Sequence, residues 1–226
     1  MRRNDGAVHT LDQLAVAQYY RQSADALSKH LDGRQVHAGG WTTGQRALSS
    51  APRSAGEVLR EVESGVRWFC WETDGGSPSS VQLTVGTGAD ISTAATAALA
   101  IIDAVVAAGG SPVPATDGEG GLLIFVTGLA DLRPLAAALA DRAPEIATTD
   151  AAAADGRAWL GSSEYGSLVP APYSLVDSAD GTGVVLPLTV DELAAVTAGM
   201  PLDPDAGDVS DRLAVHGDLA GSLIGR

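Results

Sequence analysis

The chain is almost without lysine: Lys29 is the sole one, and 14 Lys+Arg stand against 28 Asp+Glu for a formal net charge of -14. Proteins that grip nucleic acid draw affinity from cations that displace counterions along the phosphates. A field this acidic repels DNA, so DNA binding is expected to be weak or absent and a protein is the expected partner. Cysteine is as scarce. Cys70 stands alone, which excludes an intramolecular disulfide and any Cys-based zinc cluster. Long hydrophobic runs are missing too. The longest, Ala94 to Ala108, is broken by Thr96 and Asp103 and falls short of the ~20 apolar residues of a membrane span. Met1-Arg2-Arg3-Asn4-Asp5-Gly6 carries two arginines with no apolar stretch behind them, so neither a secretory signal nor a membrane partner is expected, and the reading is cytoplasmic.

What is present suits a globular fold. Hydrophobic residues make up 45% of 226, enough to bury a sizeable core, and neither an internal repeat nor a long linker divides the chain, which reads as one domain over 1–226. Thr10-Leu11-Asp12-Gln13 has capping-box spacing ahead of apolar residues at helical intervals, predicting a helix over 11–31 that ends at Asp32-Gly33. A loop over 42–56 leads to a short helix opened by Ser54 with Glu57 three residues on. Strands are predicted at Val66–Trp71 and Val81–Val85, joined antiparallel through the turn Asp74-Gly75-Gly76-Ser77-Pro78.

Asp90 or Ser92 caps a long helix to Ala108, stopped by Gly109-Gly110. A strand at Leu122–Val126 and a helix at Asp131–Asp141 follow, and 148–155 reads as a solvated loop or frayed helix. Short strands are predicted at Arg157–Leu160, Leu168–Val169 and Val184–Leu186, and the capping box Thr189–Glu192 opens a helix to Ala198. Helices mixed with strands and hairpin-like turns give an α+β fold of mixed and antiparallel sheets flanked by helices.

Motifs with chemistry are weak when taken singly. Gly86-Thr87-Gly88 ahead of a helix resembles a phosphate cradle but has neither a third dinucleotide glycine nor a Gly-Lys-Ser/Thr ending, so an ordinary turn is favoured. Asp117-Gly118-Glu119-Gly120-Gly121 is a flexible loop whose acids oppose anion binding. Asp203, Asp205 and Asp208 are spaced like calcium ligands, yet Pro204 and the missing glutamate depart from an EF-hand. His9, His30, His37 and His216 show no metal spacing, and Ser162-Ser163 lacks the Gly-x-Ser-x-Gly elbow. Trp41, Trp68, Trp71 and Trp159 read as core or rim residues before base-stacking ones.

Taken together and in order, several segments resemble the polymerase (primase-like) domain of bacterial DNA ligase D, within the archaeo-eukaryotic primase superfamily. They are Leu11–Val36, Trp68-Phe69-Cys70-Trp71, Ala171-Pro172-Tyr173-Ser174-Leu175, Leu186–Leu193 and Leu202–Asp218. The resemblance implies a primase-polymerase fold and a part in DNA repair by non-homologous end joining.

It also implies where chemistry would sit. The family's Asp-x-Asp strand falls on Ser80–Gly88, putting Gln82 and Thr84 at two metal positions, and the third acid falls at Gly161. The triphosphate-binding Ser, Lys, His and Arg fall on Asp117, Gly120, Leu123 and Val176. None of the three metal positions offers a carboxylate, which two-metal phosphoryl transfer requires. The basic segment associated with end-binding is also short here, with only Arg46 and Arg53. The expectation is a catalytically inactive relative that serves as an interaction or regulatory module and needs no cofactor. The alternative is an active or nucleotide-binding member with relocated ligands, Asp117 and Glu119 among them, which would use Mn or Mg with its nucleotide. A third reading is an architectural DNA binder.

Overall fold

A computed structural model of the protein describes residues 11–40, 44–73, 79–85, 89–129, 131–163, 166–178, 181–202 and 209–224. The helices are α1 (Gln13–Leu31), α2 (Ala55–Glu63), α3 (Ile91–Ala107), α4 (Arg133–Arg142), α5 (Val190–Thr197) and α6 (Val209–His216). The strands are β1 (Val36–Gly39), β2 (Arg46–Ala47), β3 (Trp68–Glu72), β4 (Ser79–Val85), β5 (Ser111–Thr116) and β6 (Leu122–Thr127). After them come β7 (Ala147–Thr148), β8 (Ala158–Ser162), β9 (Leu168–Pro170), β10 (Leu175–Ser178) and β11 (Gly181–Val184). Among the described residues no helix is long and apolar enough to cross a membrane.

The helix starts follow from side chains able to accept an orphan amide. Ser54 accepts from the Glu57 amide, Asp90 from Thr93, and Thr189 with Glu192 forms a complete capping box. For α1 the cap is Asp12, accepting from the Ala15 amide at 2.8 Å, and the expected Thr10 lies outside the described residues. Gly109, at φ 86°, follows α3 in the left-handed conformation that glycine adopts without a Cβ penalty.

The strands form a four-stranded sheet ordered β2-β1-β3-β9, a five-stranded sheet ordered β5-β6-β4-β8-β7, and the hairpin β10-β11. All pairings are antiparallel except β7 with β8. This is the α+β arrangement of mixed and antiparallel sheets read from the sequence. The expected hairpin between the strands at 66–71 and 81–85 does not form: β3 pairs with β1 and β9, while β4 pairs with β6 and β8 in the other sheet. The predicted turn at 74–78 lies outside the described residues, and the partner of each strand is set by burial. Phe69 and Trp71, both 0% exposed, turn into the core shared with α1, and that commits β3 to the first sheet.

Strand β6 of the five-stranded sheet is buried on both faces. Leu123 and Phe125 of β6 join α1, α2 and the first sheet in one apolar cluster; Leu122, Ile124 and Val126 pack with α3, α4 and α5 in the second. A continuous apolar strand such as LLIFVT is what such a position requires. The predicted strand at Val184–Leu186 resolves into the end of β11 followed by ladder bonds to β5, Thr116 N–H donating to Leu186 O at 3.0 Å and Leu188 N–H to Pro114 O at 2.8 Å. The 148–155 stretch holds one 3-10 turn at Ala151–Ala153.

Candidate cleft beside the central sheet

On the face of the five-stranded sheet that looks toward β9 and β10 lies a cavity of about 380 Å³. Its walls come from β4 and β6 (Ser80, Leu123), β8 (Trp159, Gly161), β9 (Leu168, Pro170), β10 (Val176) and the β5–β6 loop (Asp117, Glu119). Register decides what stands beside what. Gln82 pairs with Leu123 on one side and with Gly161 on the other, so these three positions form one row across β6, β4 and β8. Thr84, exposed, pairs with Trp159 in the next row on that face.

Gly161 is covered by the indole of Trp159, two residues before it on the same strand. A Cβ at Gly161 would meet the ring's Cη2 at 2.5 Å. The ring is held from its other edge, Trp159 Nε1 donating to Thr149 O at 3.3 Å.

The β5–β6 loop is fastened at both its base and its tip. Thr116 Oγ1 donates to Val184 O at 2.6 Å and accepts from the Leu186 amide at 2.9 Å. Asp117, only 5% exposed, folds its carboxylate back so that Oδ1 accepts the amides of Glu119 at 2.7 Å and Gly121 at 2.8 Å. Gly118 abuts Val176, whose Cβ would lie 3.0 Å from a Cβ at that glycine. Asp117, Leu123 and Val176 therefore gather around the same cavity, while Gly120 stands exposed at the tip of the loop.

The other candidates disperse. Asp90 is committed as the cap of α3: hydrogen bonds from Ser92 and the Thr93 amide hold its carboxyl below the usual range, so that helix end already carries an anion. Ser163 Oγ accepts the Ser80 amide at 2.9 Å, tying β4 to the end of β8. His30 is buried against Asp218 at 3.0 Å, His37 faces Glu72 at 3.4 Å, and His216 is exposed at the end of α6. Trp71 is a core residue stacked by the Arg34 guanidinium at 4.4 Å, and Trp68 lies over Gly39. Gly86–Gly88, His9, Trp41 and Asp203, Asp205 and Asp208 lie outside the described residues.

Cations are largely spent within the fold. Lys29, Arg46, Arg53, Arg60, Arg67, Arg133 and Arg212 each face a carboxylate. Arg34, Arg142 and Arg157 donate to backbone carbonyls, which leaves Arg21 alone among the described cations without such a partner. None of them lines the cleft.

Two buried networks that no local motif announces brace the cleft's far wall. Arg67 Nε donates to Asp177 Oδ2 at 2.6 Å with side-chain exposures of 5% and 8%, and Thr182 Oγ1 donates to Asp177 Oδ1 at 2.8 Å. Tyr173, in the left-handed region at φ 64°, donates from its hydroxyl to Asp218 Oδ1 at 2.9 Å. Burial and the Asp218 charge push the Tyr173 hydroxyl far up, and burial alone lifts the Cys70 thiol to about 12, which leaves it inert.

No family model and no curated protein matches the sequence. Among solved structures the chain is similar to the polymerase domain of Mycobacterium tuberculosis ligase D, solved in complex with DNA. The TM-score is 0.79 at 19% identity, over 99% of this chain and 97% of that one. The protein thus has the primase-polymerase fold of the ligase D polymerase domain, the fold that the sequence resemblance implied.

Proposed function

We propose that this protein is a non-polymerising relative of the ligase D polymerase domain, one domain over 1–226, acting as a protein-interaction or regulatory module in DNA end joining. The observation that carries the reading is the row Leu123–Gln82–Gly161. Two divalent ions bridging triphosphate oxygens need hard anionic ligands converging on one spot. The three metal positions, Gln82, Thr84 and Gly161, offer an amide, a hydroxyl and no side chain, Leu123 beside them offers only an isobutyl group, and Trp159 fills the space a carboxylate at 161 would take. The donor set does not fit a metal pair.

Relocated ligands are a poor substitute. Asp117 has one oxygen committed to two amides, and Glu119 is exposed at the rim. Both add negative charge where a triphosphate would lie. Internal pairing of the cations also speaks for a protein partner over the phosphate backbone.

Primer extension on a templated end with Mn²⁺ tests the reading. The expected result is no incorporation above background; template-dependent incorporation abolished by a substitution at Asp117 would overturn it.

A further inference from the structure

Among the described residues that line it, the cleft has a negative charge that no cation balances. Asp117 and Glu119 are its ionisable walls, with no Lys, Arg or His beside them. Asp117 is 95% hidden by its 5% exposure, yet only Oδ1 is used, and Oδ2 takes no hydrogen bond among the described residues. The second oxygen of this largely buried carboxylate is left free to accept from a group in the cavity. Trp159 flanks the same space, and an indole face attracts cations through its quadrupole. Leu123 and Val176 give the floor an apolar lining.

We infer that the cleft binds an organic monocation, an ammonium or guanidinium carried on an apolar stem. Asp117 Oδ2 accepts its N–H, Trp159 covers the charge, Leu123 and Val176 pack the stem, and Glu119 adds field at the mouth. An anion meets two carboxylates there, and a divalent ion finds too few free oxygens. A cavity of about 380 Å³ is sized for one such group. The inference rests on the reading above in one respect, that no metal-bound triphosphate fills this space. A cation of this kind arrives either as a free small amine or as an Arg or Lys side chain of another protein.

The test is a titration of the uniformly ¹⁵N-labelled full chain with n-butylguanidinium chloride, against sodium chloride at matched ionic strength. Saturable shifts at the 118–121 amides and the Trp159 indole by about 10 mM are expected. Asp117→Asn keeps an acceptor for both loop amides while removing the charge, so its spectrum should survive and its binding weaken about tenfold. Should that variant lose its fold, Glu119→Gln at the exposed rim, about threefold weaker, decides instead. No saturable shift, or shifts unchanged in both variants, overturns the inference. A Gly-Ser peptide carrying one Arg, binding more tightly than the free guanidinium, assigns the ligand to a protein side chain, and equal binding assigns it to a small amine. Shifts in these same amides with dTTP and Mg²⁺ sink the premise that no metal-bound triphosphate fills this space, whereas silence toward butylguanidinium sinks only this inference.

Discussion

The indole of Trp159 lies across the Cα of Gly161, close enough that a Cβ there would sit 2.5 Å from the ring. The two are neighbours on one face of β8, and the glycine's lack of a side chain is the condition for the ring's position. Gly161→Ala is expected to destabilise the fold by about 1–3 kcal/mol as the ring is forced aside. In Trp159→Ala the same change should cost under about 1 kcal/mol, so a double-mutant cycle by urea unfolding gives strong coupling. Additive effects would show that the ring moves freely.

The buried pair Arg67–Asp177 ties β3 to the hairpin that forms the cleft's far wall. Removing one partner strands a charge, so Asp177→Ala should cost about 3–5 kcal/mol in denaturant unfolding. Arg67→Met combined with Asp177→Leu removes both charges and should recover most of that loss. A double variant as unstable as the single one would mean that the bonds to Leu11 O and Thr182 carry the stability instead.

Stability should respond to acid through Glu192. Burial raises its carboxyl, but hydrogen bonds from Arg212 and the Thr189 amide prevail and bring it down from 4.5 to about 2. The unfolded chain then binds this proton more readily than the folded one. The contribution is full above pH 4.5 and is lost as the pH falls through about 2. Glu192→Gln is expected to lower stability at neutral pH and to flatten the acid limb in that window, measured by thermal unfolding against pH. An unchanged acid limb would rule the residue out.

Legibility in the sequence followed the range of the interactions. Ser54, Asp90 and Thr189 announced their helices because a cap is satisfied within three residues. β5 passed unread since Pro112 and Pro114 argue against a strand, and they are tolerated at this sheet edge, where the outer partner is only the short run beyond β11. α6 is a two-turn helix whose stability comes from contacts such as Arg212 with Glu192, far away in sequence. The row Leu123–Gln82–Gly161 is a matter of register between residues 41 and 79 positions apart, and the covering of Gly161 by Trp159 needs coordinates. Resemblance named the positions; only pairing brought them abreast.

If the missing carboxylates and the indole together keep metal out, putting the acids back should fail until the ring is also removed. Gln82→Asp, Thr84→Asp and Gly161→Asp place acids at two positions on one face of β4 and one across from them on β8. With Trp159 in place the third acid must displace the ring before it reaches the others, at a cost that offsets much of the coordination energy. Adding Trp159→Ala clears that space. Mn²⁺ affinity by calorimetry is expected to rise about tenfold from the triple to the quadruple variant, in line with the effect of ligand positioning on metal sites. Equal affinity in the two would place the whole defect in the absent carboxylates, and binding by the unmodified chain as tight as by either would remove the reason for calling this cleft metal-free.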